Sequence, residues 1–152
     1  MANKIYALLV GINNYHPQSG VVPLRGCVND IEVIEKYLEI ATANTWELVT
    51  QKLTNEFATR QGVIDGFTQH LNQADSKDIV LFYYAGHGSY ETAPEVFQNL
   101  ERDGKLETLV CYDSRTSGIQ DLADKELNYL IEQVAKNNPH ILIILDSCHS
   151  GT

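Results

Sequence analysis

The sequence predicts an α/β fold with a mainly parallel sheet and helices on both faces. Short apolar runs rich in β-branched and aromatic residues alternate along the chain with segments whose apolar residues recur every three or four positions. The first pattern is typical of strands buried on both faces, and the second is typical of amphipathic helices. Because strands alternate with helices, the connections are expected to be crossovers between parallel strands. At 152 residues the chain has the size of one domain, so residues 1–152 are treated as one unit.

Each predicted element rests on a local pattern. The predicted strands are residues 6–12, 47–53 (the most polar of them), 78–85 and 140–146. A helix is expected to start near Asp30, because Asn29 and Glu32 form a capping-box pattern ahead of the stripe Ile31, Ile34, Tyr37 and Leu38. A second helical stripe consists of Val63, Phe67 and Leu71. A third consists of Leu127, Leu130, Ile131 and Val134, and its helix is expected to have Asp124 as its N-cap.

Residues 88–118 interrupt the alternation of strand and helix. This segment holds turn-forming residues, among them Pro94 and the pair Asp103-Gly104, and a short strand-like run at 108–112. It is therefore predicted to be a protruding hairpin or loop.

Charge and composition exclude several classes of protein. The chain has 11 basic and 20 acidic residues, a formal charge of -9 that repels phosphate backbones and anionic lipid, so no nucleic acid or membrane partner is expected. Its apolar runs are far shorter than the ~20 residues of a membrane-spanning helix. The odd set Cys27, Cys111 and Cys148, without a signal-like segment at Met1, favours a reducing, cytoplasmic location.

Chemically active residues follow two of the predicted strands. Gly86-His87-Gly88 comes after the third strand and Asp146-Ser147-Cys148 after the fourth, while Cys27 and Asp30 lie near the mouth of the first helix. Ligands and catalytic groups collect at the carboxyl edge of such sheets. These side chains are therefore expected to meet at one edge.

A cysteine beside a histidine can act as a nucleophile with a proton shuttle. The thiolate would attack a carbonyl, and the imidazolium would protonate the departing amine. Gly86 and Gly88 would let the backbone approach a substrate closely, and the amides of Gly88 and Cys148 would donate into an oxyanion hole. For His87 or Cys148 taken alone, a packed structural residue is the alternative.

Several motifs resemble the caspase and metacaspase superfamily of cysteine peptidases, and the resemblance extends over essentially the whole chain. Some of them are similar to the metacaspase branch and its prokaryotic relatives in particular. The motifs are residues 6–12, 24–30, 81–88, 109–115, 124–127 and 143–151. The resemblance implies a caspase-like three-layer fold.

The resemblance also implies site residues and a specificity. His87 and Cys148 would form the catalytic dyad, and cleavage would follow Arg or Lys in a peptide or protein. Cys27, Asp30 and Asp146 would line the specificity pocket, where Ala85 replaces a serine common in metacaspases. Independently of the family, two carboxylates at this edge favour a guanidinium or ammonium group.

The sequence contains two candidate metal sites, although no resident cofactor is predicted. Metacaspases are often activated by calcium, and Asp113, Asp121 and Asp124 fall in the corresponding region. For Asp124, the alternative role is that of a helix N-cap. A zinc site from His87, Cys148 and His149 is a weaker alternative, because its spacing matches no structural zinc pattern.

The resemblance further implies that this chain is the large-subunit part of a peptidase domain. A small subunit, as a second chain or a downstream segment, would then complete the substrate groove. The favoured function is an auto-processed cysteine endopeptidase. The rival is a caspase-fold regulatory or scaffold module without turnover.

Overall fold

A computed structural model describes residues 3–92 and 105–149, apart from the side chains of residues 90–92, 105, 106, 148 and 149. In these ranges six strands form one sheet, and three α-helices pack on it. The strands are β1 (Lys4–Gly11), β2 (Glu47–Thr54), β3 (Ile79–Thr92), β4 (Lys105–Leu109), β5 (Leu122–Ala123) and β6 (His140–His149). The helices are α1 (Cys27–Thr42), α2 (Arg60–Asp65) and α3 (Asp124–Ala135).

The strand order confirms the predicted α/β fold with a mainly parallel sheet. Strands β2, β1, β3 and β6 are neighbours in that order, and all run parallel. Strand β4 is antiparallel to the outer half of β3, and β5 is antiparallel to β4. Gly88 is paired with both Leu109 of β4 and His149 of β6, so β4 and β6 occupy opposite edges of β3.

Side chains that alternate along the central strands bury two separate cores. Ala7, Leu9, Leu81 and Ala85 pack with Ile31 of α1 on one face. The other core holds the intervening strand residues with the apolar sides of α2 and α3, namely Leu8, Val10, Val80, Phe82, Val63, Phe67, Leu127, Leu130 and Val134. The molecule therefore has the three layers expected of a parallel sheet buried on both faces. None of the helices in the described ranges is long and apolar enough to cross a membrane.

Two strands extend further than the sequence pattern predicts. The strand predicted at 78–85 continues to Thr92, because β4 pairs with its outer half. The strand predicted at 140–146 continues to His149, because its partner on β3 also continues. The short strand predicted at 108–112 forms three residues earlier in the chain, as β4 (Lys105–Leu109). The region is a hairpin, as predicted, whose tip with Pro94 and Asp103-Gly104 lies outside the described residues.

The predicted start of α1 is wrong. The helix begins at Cys27 rather than near Asp30, and its N-cap Gly26 makes no side-chain cap hydrogen bond. Instead, the Asn13 side-chain oxygen accepts hydrogen bonds from the backbone N–H groups of Cys27 at 2.9 Å and Val28 at 3.3 Å. A residue on the loop after β1 thus satisfies free amides at the true start of the helix, and it takes the capping role that was expected of Asn29 and Glu32.

The other helical predictions are close to the structure. Val63, Phe67 and Leu71 are all buried as one stripe, although α2 ends at Asp65 and the stripe continues through a wider helical turn at Gly66–His70. The predicted N-cap of α3 is wrong by one position. Ala123 is the N-cap, and its backbone N–H donates to the carboxylate of Glu126 at 3.1 Å.

Gly11 lies in close contact with α1, and a substitution there tests this packing. A Cβ atom on Gly11 would lie 2.8 Å from the carbonyl oxygen of Cys27 and 3.1 Å from Cγ2 of Ile31. Because a helical carbonyl cannot rotate away, Gly11→Ala is expected to lower the free energy of unfolding by about 1–3 kcal/mol. Urea unfolding measures the loss.

Gly26→Ala is the matched control, because a Cβ at Gly26 meets no atom within 4 Å. Its expected cost is below about 1 kcal/mol, from the poorer N-cap alone. Equal losses in the two variants would contradict a tight contact between Gly11 and α1.

Candidate active site

The pairing of β3 with β6 brings the two predicted catalytic positions together. His87 and Cys148 are register partners on these parallel strands, so their backbones lie about 5 Å apart. Both positions lie within strands, which corrects the expectation of loop residues after the strand ends. The side chains of Cys148 and His149 are outside the described part of the structure.

The His87 ring is buried and held by one of its two nitrogens. His87 is 6% exposed, and its Nε2 lies 2.8 Å from the carbonyl oxygen of Val22. Since a carbonyl oxygen only accepts, Nε2 carries the proton in the neutral ring. Nδ1 is buried and has no hydrogen-bond partner among the described residues. The ring therefore presents Nδ1 as its proton acceptor.

Two tyrosines hold the backbone of His87. Along one edge of β3, β1 ends at the register of Ala85 and β4 begins at that of Gly88. In this gap the amide of His87 donates to the Tyr15 hydroxyl at 2.8 Å, and the Tyr84 hydroxyl donates to the His87 carbonyl at 2.6 Å. The Val110 amide also donates to this carbonyl, at 3.0 Å, so the hydroxyl groups and one backbone group together stand in for a strand partner.

The role expected of Gly86 needs correction. A Cβ atom there would lie 2.6 Å from the Tyr84 hydroxyl and 2.8 Å from the Tyr15 hydroxyl. The glycine therefore makes room for these two phenols rather than for a substrate. Gly88 lies in β3 between Leu109 and His149, and its amide as an oxyanion donor stays a prediction.

Sequence reasoning missed Val22, Tyr15 and Tyr84 as supports of His87. Val22 acts through its backbone carbonyl, which leaves no trace in the residue type. Tyr84 lies in the motif at residues 81–88, whereas Tyr15 lies outside all of the motifs. A polar hydroxyl inside an otherwise apolar buried run, as at Tyr84, was the available signal.

The residues predicted to line a specificity pocket converge on the α1 face of the sheet. Cys27 is the buried first residue of α1, and Asp30 lies in its first turn. Asp146 of β6 accepts a hydrogen bond from the Tyr83 hydroxyl at 3.1 Å. Burial first, then this hydrogen bond and the charges of Asp146 and Asp30, raise the pKa of Tyr83 to about 12. The two carboxylates therefore act on one common hydroxyl.

Ala85 lies at the centre of this group. It is fully buried, and it is the register partner of Asp146 on β6 and of Gly11 on β1. Its methyl group offers the pocket no hydrogen bond. Arg25, at the mouth of α1, is exposed.

The three aspartates considered for calcium bind groups of the protein or lie at a helix start. An Asp113 carboxylate oxygen accepts the Arg60 amide at 2.9 Å. Asp121 accepts from the Thr108 hydroxyl at 2.8 Å and from Arg115 at 3.1 Å. Asp124 is the first residue of α3. Among the described residues, no group of three or more His, Cys, Asp or Glu could hold a metal ion. Calcium activation through these aspartates therefore stays a prediction.

For the zinc alternative, Nε2 of His87 is already bonded to Val22. The other two ligands, Cys148 and His149, have side chains outside the described part.

Cys111 is a second buried thiol near the dyad, with a different electrostatic setting. Burial first, then the charges of Asp113 and Asp121, raise its pKa from 9.0 to about 12. Its sulfur lies 3.9 Å from the carbonyl oxygen of Leu109. Cys111 is therefore a protonated structural residue at neutral pH.

The chain is similar in sequence to proteins named as metacaspases. One relative, Metacaspase-1 of Mycosarcoma maydis, is 32% identical over 156 aligned residues, which cover 100% of this chain and 37% of that protein. Metacaspase-1A of Aspergillus terreus is 31% identical over 154 residues, covering 98% of this chain and 36% of that protein. The chain thus spans little more than a third of these relatives.

A solved structure shows the same fold. The crystal structure of a Geobacter sulfurreducens protein superimposes with a TM-score of 0.72 at 31% identity. The match covers 98% of this chain and 52% of that one. The family model of the metacaspase peptidase C14 domain matches residues 6–152. The chain therefore belongs to the metacaspase family, whose fold is caspase-like.

Proposed function

We propose that the protein is a caspase-like cysteine endopeptidase that cleaves peptide bonds after Arg or Lys with a dyad of His87 and Cys148. The observation that carries the proposal is the register pair of His87 and Cys148, with Nε2 of His87 bonded to Val22 and Nδ1 free to take a proton. Membership of the metacaspase family supports the reaction type.

In the proposed mechanism, His87 accepts the thiol proton of Cys148 at Nδ1. The thiolate attacks the scissile carbonyl carbon, and the C–N bond breaks as the imidazolium protonates the departing amine. Water then cleaves the thioester, with His87 taking one of its protons, and the dyad returns to its starting state. The Val22 carbonyl stabilises the imidazolium through its hydrogen bond with Nε2.

The proposed specificity rests on charge. Asp30 and Asp146 lie on the α1 face, with Cys27 beside them, and the chain carries a net charge of -9. A guanidinium or ammonium group would be attracted to this group of acids, whereas an aspartate side chain would be repelled.

The proposal includes a small subunit that covers the free edge of β6. Within the described residues β6 pairs only with β3, and Leu142, Ile144 and Leu145 on it are 53%, 37% and 43% exposed. Further strands, from a second chain or a downstream segment, would bury these side chains and complete the groove. We further propose auto-processing. We also propose a reducing, cytoplasmic location, with which the free buried thiol of Cys111 agrees.

The first test removes each dyad residue from the full-length protein. Cys148→Ala is expected to abolish hydrolysis of an Arg-ending fluorogenic peptide, because the covalent route is lost. His87→Ala should reduce kcat by about 10²- to 10⁴-fold.

Matched controls are Cys111→Ala and His140→Gln, the latter an exposed histidine at the far end of β6. Both should keep turnover within severalfold of the original protein. Unchanged activity of the Cys148 variant would refute the assignment, and absence of turnover in the original protein would favour the scaffold alternative.

The second test compares thiol reactivity. With its pKa near 12, only on the order of 10⁻⁵ to 10⁻⁴ of Cys111 is thiolate at pH 7.5, whereas a thiol beside a histidine has a lowered pKa. Iodoacetamide is therefore expected to label Cys148 first and to leave Cys111 unmodified, as measured by peptide mass spectrometry. Labelling in guanidinium chloride, where Cys111 is exposed, is the control. Equal native labelling of the two cysteines would contradict the proposed difference in thiol reactivity.

The third test concerns the pocket acids. Asp146→Asn or Asp30→Asn should lower kcat/KM for Arg peptides by about 10- to 100-fold, since each removes a charged acceptor from the substrate cation. Glu47→Gln is the control, because Glu47 is an exposed acid on β2 at the amino-terminal edge of the sheet. Preferred cleavage after Asp in a peptide library would refute the basic specificity.

A further inference from the structure

The hydroxyl of Tyr83 on β3 contacts a carboxylate on the neighbouring strand β6. Tyr83 lies on β3, two positions before Ala85, and Ala85 is the register partner of Asp146 on β6. Because side chains alternate along a strand, Tyr83 and Ala85 share the α1 face. The Tyr83 hydroxyl reaches diagonally to Oδ2 of Asp146, at 3.1 Å.

The two partners differ in their freedom to move. Tyr83 is 6% exposed and packed beside Leu81 and Ala85, so its ring position is set by the core. Asp146 is exposed, so its carboxylate could otherwise rotate in solvent. The hydrogen bond therefore attaches a mobile acid to a fixed donor.

Tyr83 stays a donor at working pH. Its phenol pKa is raised to about 12, first by burial and then by Asp146 and Asp30, so the hydroxyl keeps its proton. The neighbouring position on β3, Ala85, has no polar side-chain atom to take its place.

We propose that Tyr83 is a specificity-determining positioning residue, which holds the Asp146 carboxylate in the orientation that receives a substrate guanidinium. The proposal rests on the proposed function. Oδ2 accepts the Tyr83 hydroxyl with one lone pair, and within the described residues its other lone pair and Oδ1 accept no further hydrogen bond.

The proposal has a consequence for the choice between Arg and Lys. A planar guanidinium binds a carboxylate through two parallel hydrogen bonds and depends on its orientation. An ammonium group is a compact charge that tolerates a rotating acid. Loss of the Tyr83 hydroxyl should therefore weaken the binding of Arg substrates more than the binding of Lys substrates.

The experiment compares Tyr83→Phe with the original sequence in the full-length protein, using Arg-ending and Lys-ending peptides. We expect KM for the Arg peptide to rise about 5- to 20-fold, with kcat within twofold and a smaller change for Lys. Tyr6→Phe is the matched control, because Tyr6 is an equally buried tyrosine on β1. Thermal melting checks that each variant is folded.

A rescue separates positioning from packing. Ala85→Ser added to Tyr83→Phe places a hydroxyl at the register position beside Asp146, and it should recover at least half of the lost preference for Arg. A purely structural role of Tyr83 would lower kcat for both peptides equally and would not respond to the serine. That result, or an unchanged ratio of Arg to Lys, would overturn the proposal.

A binding measurement keeps the two proposals apart. If the original protein hydrolyses neither peptide, the proposed function fails, and fluorescence anisotropy on Cys148→Ala protein measures binding of a labelled Arg peptide directly. Weaker binding after Tyr83→Phe would then support the positioning role, and no binding or equal binding would overturn it.

Discussion

The parallel register between β3 and β6 is the constraint on which the rest of the site depends. It sets His87 opposite Cys148 and Ala85 opposite Asp146 through the same ladder of backbone hydrogen bonds. A shift of one residue would turn every side chain of β6 to the opposite face of the sheet. The proposed dyad and the proposed pocket acid Asp146 are thus positioned by one pair of strands, and apolar packing of the two cores holds that pair in place.

An interruption in the opposite edge of β3 shows how polar groups support that register. Where β1 has ended and β4 has not begun, the carbonyl of His87 accepts a hydrogen bond from the Val110 amide at 3.0 Å, but its amide has no backbone partner among the described residues. Tyr15 and Tyr84 fill the interval with hydroxyl groups, and Gly86 leaves the space that they need. A buried amide without a partner is costly, so these phenols stabilise the strand at the position of the proposed catalytic histidine.

Local sequence patterns predicted the fold class, the strand cores, the buried helical stripes and the meeting of His87 with Cys148. They failed where a distant residue decides the outcome. Asn13 caps α1 from another loop, so the local pattern at Asn29 and Glu32 was misleading. The extensions of β3 and β6 depend on pairing partners that periodicity cannot reveal. Val22 contributes only a carbonyl, and every residue has one.

The loop between β1 and α1 is attached to the site at four points. Asn13 holds the start of α1, the Tyr15 hydroxyl and the carbonyl of Val22 hold His87, and Cys27 opens the helix beside the proposed pocket. Between Tyr15 and Val22, the exposed residues around Gly20 include a left-handed backbone position and form the outer turn. A residue inserted at this turn would meet few contacts, whereas a residue added between Val22 and Cys27 would shift the support of the imidazole relative to the start of α1. The segment thus joins an exposed turn that can accept insertions to a stem whose length is fixed by its contacts.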